Sequence, residues 1–186
     1  EMSHMRPGLL PGLLQAVARN QARGAMDLAL FELGPVFHGG EPGEQAIHAT
    51  GLLVGANGPR DPHGARRPVD LYDAKADAEA VLAALGAPQK LLSDRAVPGW
   101  FHPGRAGRLT LGPKTVLASF GEVHPRILKA YGIKGAAVAF TLIPAAVPMP
   151  RSAVATRPAL VQSDLQAVER DFAFVLGQIH RLPING

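Results

Sequence analysis

Apolar residues recur along this chain in two rhythms. Leu9, Leu10, Leu13, Leu14 and Val17 fall at spacings of three and four, which gathers them on one helical face opposite Gln15, Arg19 and Gln21. The predicted helix runs about four turns. Pro7 suits its first turn, Pro11-Gly12 kinks or restarts it, and Gly24 is its stop. From Asp27 to Phe37 the chain is nearly continuously apolar, with Gly34-Pro35 as a bulge or bend, and predicts a buried strand. Ile47 to Val54 predicts a second strand, reached through a Gly- and Glu-rich hairpin loop from His38 to Gln45.

The helical rhythm returns at Leu71, Ala74, Ala78, Val81, Leu82 and Leu85, with Asp70 or Asp73 placed to cap the helix and Gly86 to end it. Ala106 to Leu111 and Thr115 to Gly121 flank Gly112-Pro113-Lys114 and predict a hairpin. His124-Pro125 opens a short helix that Gly132 stops after Tyr131, and Ala136 to Ile143 predicts a further strand. Helices that separate antiparallel hairpins, without regular alternation of strand and helix, imply an α+β fold. Three segments follow: a domain over residues 1–146, a linker with a short helix over 147–169, and a fresh strand that begins at Arg170 within 170–186.

Composition narrows the function classes. The chain of 186 residues is long enough to bury a core without staples, and it has no Cys, which removes disulfides, thiolate zinc sites and a Cys nucleophile together. No apolar run approaches the ~20 residues that span a bilayer, and Glu1-Met2-Ser3-His4-Met5 is not a secretory leader. The expectation is a soluble, cytoplasmic, unprocessed chain with no membrane partner. A net charge of +4 permits contact with nucleic acid without requiring it.

Four groups of polar residues invite a chemical reading. Arg60, Arg66 and Arg67 share a Pro- and Gly-rich loop and, if they point together, could hold phosphates; a solvated basic loop is the default. Trp100-Phe101-His102-Pro103-Gly104-Arg105 sets a stacking ring, an imidazole and a guanidinium beside a turn, a second candidate RNA contact; the competing reading is a loop anchored by its aromatics, with His102 bonded to backbone. Glu122 and His124, with His102, could be imagined around a divalent metal, but the spacing matches no zinc helix, and helix capping is the better reading. Glu32, inside an apolar strand, reads better as surface-facing or Arg-paired than as a general acid. No Gly-rich phosphate loop, nucleophile elbow or His-Glu-x-x-His helix is present, so no catalytic residue and no metal ligand is assigned.

An ordered series of segments carries a more specific signal. Met5-Arg6-Pro7-Gly8-Leu9-Leu10-Pro11-Gly12-Leu13-Leu14, Arg19-Asn20-Gln21, Leu30-Phe31-Glu32-Leu33-Gly34-Pro35-Val36-Phe37, Val69-Asp70-Leu71-Tyr72-Asp73-Ala74-Lys75-Ala76-Asp77, Phe101-His102-Pro103-Gly104-Arg105, Gly121-Glu122-Val123-His124-Pro125 and Arg170-Asp171-Phe172-Ala173-Phe174 follow one another. In that order they strongly resemble the beta subunit of bacterial phenylalanyl-tRNA synthetase, from Met5 to Leu176. The resemblance implies a class II aminoacyl-tRNA synthetase-like antiparallel sheet flanked by helices, without catalysis of its own. It also implies an alpha subunit as partner in an α2β2 ligase that joins phenylalanine to tRNA(Phe), with ATP and Mg2+ used by the whole enzyme and no cofactor in this chain.

The same resemblance places editing modules upstream of Glu1. Residues 170–186 would be the start of a truncated ferredoxin-like anticodon-binding domain, although Gly177 to Gly186 departs from the family pattern and could be an unrelated tail. Arg6, Leu10, Leu13, Leu14 and Val17 become the expected subunit interface, as the counterpart of the class II dimer-interface motif. Adenylate formation needs arginines on the ATP phosphates and carboxylates for magnesium. The strand that would precede the first such arginine ends Val36-Phe37-His38-Gly39, and no Gly-x-Gly-x-Glu-Arg-like segment occurs. The expected role is therefore support, with an RNA-binding module as the alternative.

Overall fold

The computed structural model describes residues 5–58, 66–149 and 170–173. The chain divides into two compact units, Glu1–Arg151 and Ser152–Gly186. The first is an α+β unit whose order is α1 (Leu10–Gln21), β1 (Leu28–Phe37), β2 (Gln45–Val54), α2 (Leu71–Ala84), β3 (Leu92–Asp94), β4 (Phe101–Leu111), β5 (Thr115–Val123), α3 (Pro125–Tyr131) and β6 (Ala137–Leu142). All strand pairs are antiparallel, and the six-stranded sheet runs β1-β2-β6-β5-β4-β3. In the second unit, Arg170 to Ala173 are exposed and form no strand; the helix expected at Leu160 to Val168, together with Phe174 and Val175, lies outside the described residues.

Helix α1 starts later than its sequence suggests. Leu9 is its N-cap and Pro11 sits in the first turn, where a missing N–H leaves nothing unsatisfied, so Pro11 opens the helix instead of kinking it. Gly24, at φ +92°, takes the left-handed conformation just after the helix. Helix α2 begins on a full capping box: the Asp70 side chain accepts from the Tyr72 and Asp73 amides, and Asp73 accepts from the Asp70 amide. His124 caps α3 by accepting from the Arg126 amide at 3.2 Å, and Gly132, at φ +69°, closes it.

Side chains alternate across the sheet, so it builds two cores. On one face α1 and α3 pack over Leu52, Val54, Ala137 and Ala139, with Phe101 and Val123 completing the cluster. On the other face the small α2 residues Ala74 and Ala78, with Leu82, pack over Leu109, Leu117, Phe120, Val138, Phe140 and Leu142. Gly51 admits the Phe140 ring, which occupies the space any Cβ there would need.

Two expectations are corrected by this packing. Leu10, Leu13, Leu14 and Val17 are 7, 6, 2 and 0% exposed, because the half-buried Leu28 and Leu30 and the buried Leu52 and Val54 offer them an apolar sheet to cover. They build this unit's own core and present no surface to a second chain. Nor is β1 a buried strand, since it lies at the sheet edge and only its even-numbered side chains face α1. Ala29, Phe31 and Leu33 point to the other face, where α2 lies mainly over β5 and β6 and less over β2. The short edge strand β3 carries no clear periodicity and has no counterpart in the sequence reading, whereas β4 begins at Phe101 through a register shift before Ala106, where a turn was expected.

Leu14→Ala is expected to lower unfolding free energy by about 2–4 kcal/mol in a urea titration, through lost apolar burial and a residual cavity. A pH test follows from α2. Arg67 hydrogen-bonds the Asp73 carboxylate and holds its pKa below the ordinary value. That stabilisation is full above the ordinary carboxylate pKa and fades as pH falls through the lowered one. Arg67→Ala is therefore expected to destabilise the chain slightly at pH ~7, as an exposed pair allows, and less near pH ~2, measured as the difference between thermal midpoints at the two pH values.

Candidate functional site

The face of the sheet that carries α1 changes character along the strands. Leu28, Val54 and Ala137, then Leu30, Leu52 and Ala139, lie under or beside the helices and are apolar. Two residues further along, the strand register aligns Glu32, Thr50, Thr141, Ser119, Arg108 and Asp94 across all six strands. Every member is polar, and since directly opposed residues share a face, they form one continuous row. The Thr50 and Thr141 hydroxyls are 3.1 Å apart and hydrogen-bonded at its centre.

An ion pair closes each end of the row. Glu32 accepts from Arg6, which also donates its Nε to the Pro35 carbonyl at 2.9 Å. The Arg6 carbonyl accepts from the Phe37 amide at 3.0 Å, so the segment before α1 is fastened along β1. A Cβ on Gly34 would lie 2.5 Å from Arg6 Nη2, which makes glycine the residue that lets Arg6 cross the strand. At the far end Arg108 Nε donates to Asp94 Oδ1 at 2.6 Å, and the Ala96 amide donates to the same oxygen at 2.9 Å. Arg108 first, then the Ala96 amide, holds the Asp94 carboxyl below its usual pKa.

Above the row lies a groove of about 360 Å3, lined by His48, Val97, Pro98, Trp100, Arg108, Ser119, Thr141 and Ile143 among others. His48 is half-buried, and burial, reinforced by His38, lowers its pKa, so at neutral pH it is an uncharged imidazole. Of the residues expected to form sites, Trp100 lines this groove; the others described fall elsewhere or are already held by protein partners. Glu32 is paired with Arg6, as anticipated.

His102 Nδ1 accepts from the Gly104 amide at 3.1 Å and His124 Nδ1 from the Arg126 amide, while Glu122 accepts from Arg105 Nη2 at 3.0 Å. The two imidazoles stack with centroids 6.4 Å apart, each accepting a backbone amide at Nδ1, and Glu122 is held by Arg105. Arg66 pairs with Asp27, and Arg67 with Asp70 and Asp73; Arg60 lies outside the described residues. The described arginines proposed for RNA therefore each carry a carboxylate partner. Asp27 precedes β1 and Trp100 precedes β4, four strands apart in the sheet order, so the two candidate groups do not form one patch.

The residues that sequence reasoning missed are Phe31 and Leu33, 83% and 64% exposed on the bare face of β1, with Ile47 nearby on β2. The apolar run around them was visible, but their exposure follows only from the strand's edge position. The polar row was missed because it exists only once six strands are in register. Among the described residues no helix is long and apolar enough to cross a membrane.

Comparison with known proteins places this architecture. A family model described as the phenylalanyl tRNA synthetase beta chain CLM domain matches residues 1–143. Phenylalanine–tRNA ligase beta subunits from Cereibacter sphaeroides and Ruegeria pomeroyi are each 69% identical over 176 residues, covering 95% of this chain and 22% of the relative. The chain thus spans about a fifth of the length of these relatives. A pyrrolysyl-tRNA synthetase from Desulfitobacterium hafniense shares the fold at a TM-score of 0.53 and 17% identity, covering 74% of this chain and 46% of that one. The family model and the identity to these relatives show that the chain belongs to the phenylalanyl-tRNA synthetase beta chain CLM domain family.

Proposed function

We propose that this chain is the non-catalytic, class II synthetase-like core of a phenylalanyl-tRNA synthetase beta subunit, and that it works by docking to the catalytic alpha subunit. The observation that carries this reading is the bare apolar face of β1. Phe31 and Leu33 project from an edge strand and are exposed among the described residues, and Ile47 extends the patch onto β2. An exposed aromatic beside aliphatic side chains on a strand edge is both an association surface and an aggregation hazard when uncovered. A permanent partner resolves both.

The polar groups support a role without chemistry. A nucleotide–magnesium site needs unpaired arginines and free carboxylates. On this sheet Glu32, Asp94 and Glu122 are each bound to an arginine, namely Arg6, Arg108 and Arg105. In this reading ATP and Mg2+ belong to the alpha subunit, along with the attachment of phenylalanine to tRNA(Phe). The beta core then contributes a rigid wall that keeps the alpha subunit's site in working shape.

Phe31→Asp combined with Leu33→Asp, made in the complete beta subunit and co-expressed with the alpha subunit, is expected to abolish the α2β2 species in analytical ultracentrifugation. Central interface aromatics typically contribute ~2 kcal/mol or more to association. Circular dichroism of the variant should be unchanged, because both side chains are outside the unit's cores. An intact tetramer with the folded double variant would defeat the proposal.

A further inference from the structure

The groove above the polar row is not used by the docking role, and its walls are fixed in advance. Asp94 Oδ1 holds both Arg108 and the Ala96 amide. The Val97 amide donates to the Arg95 carbonyl at 2.9 Å and the Phe101 amide to the Pro98 carbonyl at 3.1 Å. The Trp100 carbonyl accepts from the His124 amide at 2.8 Å, which ties the far end of the same loop to the cap of α3. Val97, Pro98 and the partly exposed Trp100 therefore form a standing wall, and Ile143 supplies a further apolar side.

The chemistry of the lining is one-sided. Ser119 and Thr141 supply hydroxyls, and His48 a neutral imidazole. Arg108 spends its Nε on Asp94, and among the described residues neither of its Nη groups has an acceptor. Among the described residues no carboxylate lines the groove. A site with one aromatic wall, apolar sides and a cationic fork with vacant donors selects a flat ring that ends in an anion, because a carboxylate accepts from both Nη groups in parallel. The volume, about 360 Å3, is at the lower end of the range for small-molecule sites.

We propose that this groove binds a small aromatic carboxylate, with its ring against Trp100 and its carboxylate on the Arg108 Nη groups and the Ser119 hydroxyl. Trp100 is the chain's single tryptophan, so its indole N–H gives one proton–nitrogen NMR signal that reports on the site directly. Benzoate is the probe, benzamide its neutral control and acetate the control for charge without a ring.

Titrated into the chain, benzoate is expected to shift the Trp100 indole signal saturably, with benzamide and acetate each about tenfold weaker, as loss of a charge-assisted bond or of ring contact requires. Arg108→Gln should weaken benzoate about tenfold. Ser119→Val, which leaves the Asp94–Arg108 pair in place and fills the floor, should do the same while the amide spectrum stays dispersed. Benzoate that causes no saturable shift, that binds no better than benzamide, or that binds Ser119→Val as tightly as the parent chain would overturn the assignment.

Discussion

Three helices cannot cover both faces of a six-stranded sheet, and most of what distinguishes this unit follows from where they fall short. A helix about 10 Å across shields roughly two strands spaced ~4.8 Å apart. Helix α2 takes β5 and β6 on one face; α1, braced by α3, takes the β1–β2 region on the other. Beyond the helices the two faces differ: an apolar strip on β1 stands exposed, whereas the polar row past α1 is partly buried, with Thr50 only 1% exposed. One geometric shortfall thus accounts for both the exposed strip and the groove beside the row. Backbone pairing holds the bare strand in place: β1 is matched residue for residue with β2 and is strapped at its end by the segment around Arg6.

Much of the fold could be read directly from residue spacing. Helix α2 announced itself through Leu71, Ala74, Ala78 and Leu82 with Asp70 as cap, and α3 through His124-Pro125 and Gly132. These signals are local, and local hydrogen bonds realise them. The exposure of Phe31 was illegible because an apolar run looks the same whether both of its faces are buried or only one is. The interface assigned to Leu10, Leu13, Leu14 and Val17 was misplaced for a related reason: periodicity identifies the face that packs, but not whether it packs on its own sheet or on another chain. The ordered motifs conveyed family membership far better than any individual site, since each motif fixes a local shape while the polar row depends on register between distant strands.

The arginines show how weakly net charge predicts surface chemistry. A basic excess permits contact with RNA without requiring it, and Arg66, Arg67 and Arg105 are each directed at a carboxylate within the domain. Several of these pairs are well exposed, and exposed pairs add little stability individually. Their effect is geometric. They fasten the β1 entrance, the start of α2 and the β4–β5 pair, and they lower the local positive field that an unpaired cluster would project.

The strand order β1-β2-β6-β5-β4-β3 also bears on synthesis. The two hairpins, β1–β2 and β4–β5, are local in sequence, but they meet only through β6, which is the last strand described. Thr50 and Thr141, hydrogen-bonded at the sheet centre, are separated by 91 positions. A nascent chain can form each hairpin as it emerges, but the sheet cannot join until Leu142 has been translated. Until that moment the inner edge of β2 stays unpaired, so completion of the fold is timed by a single late segment.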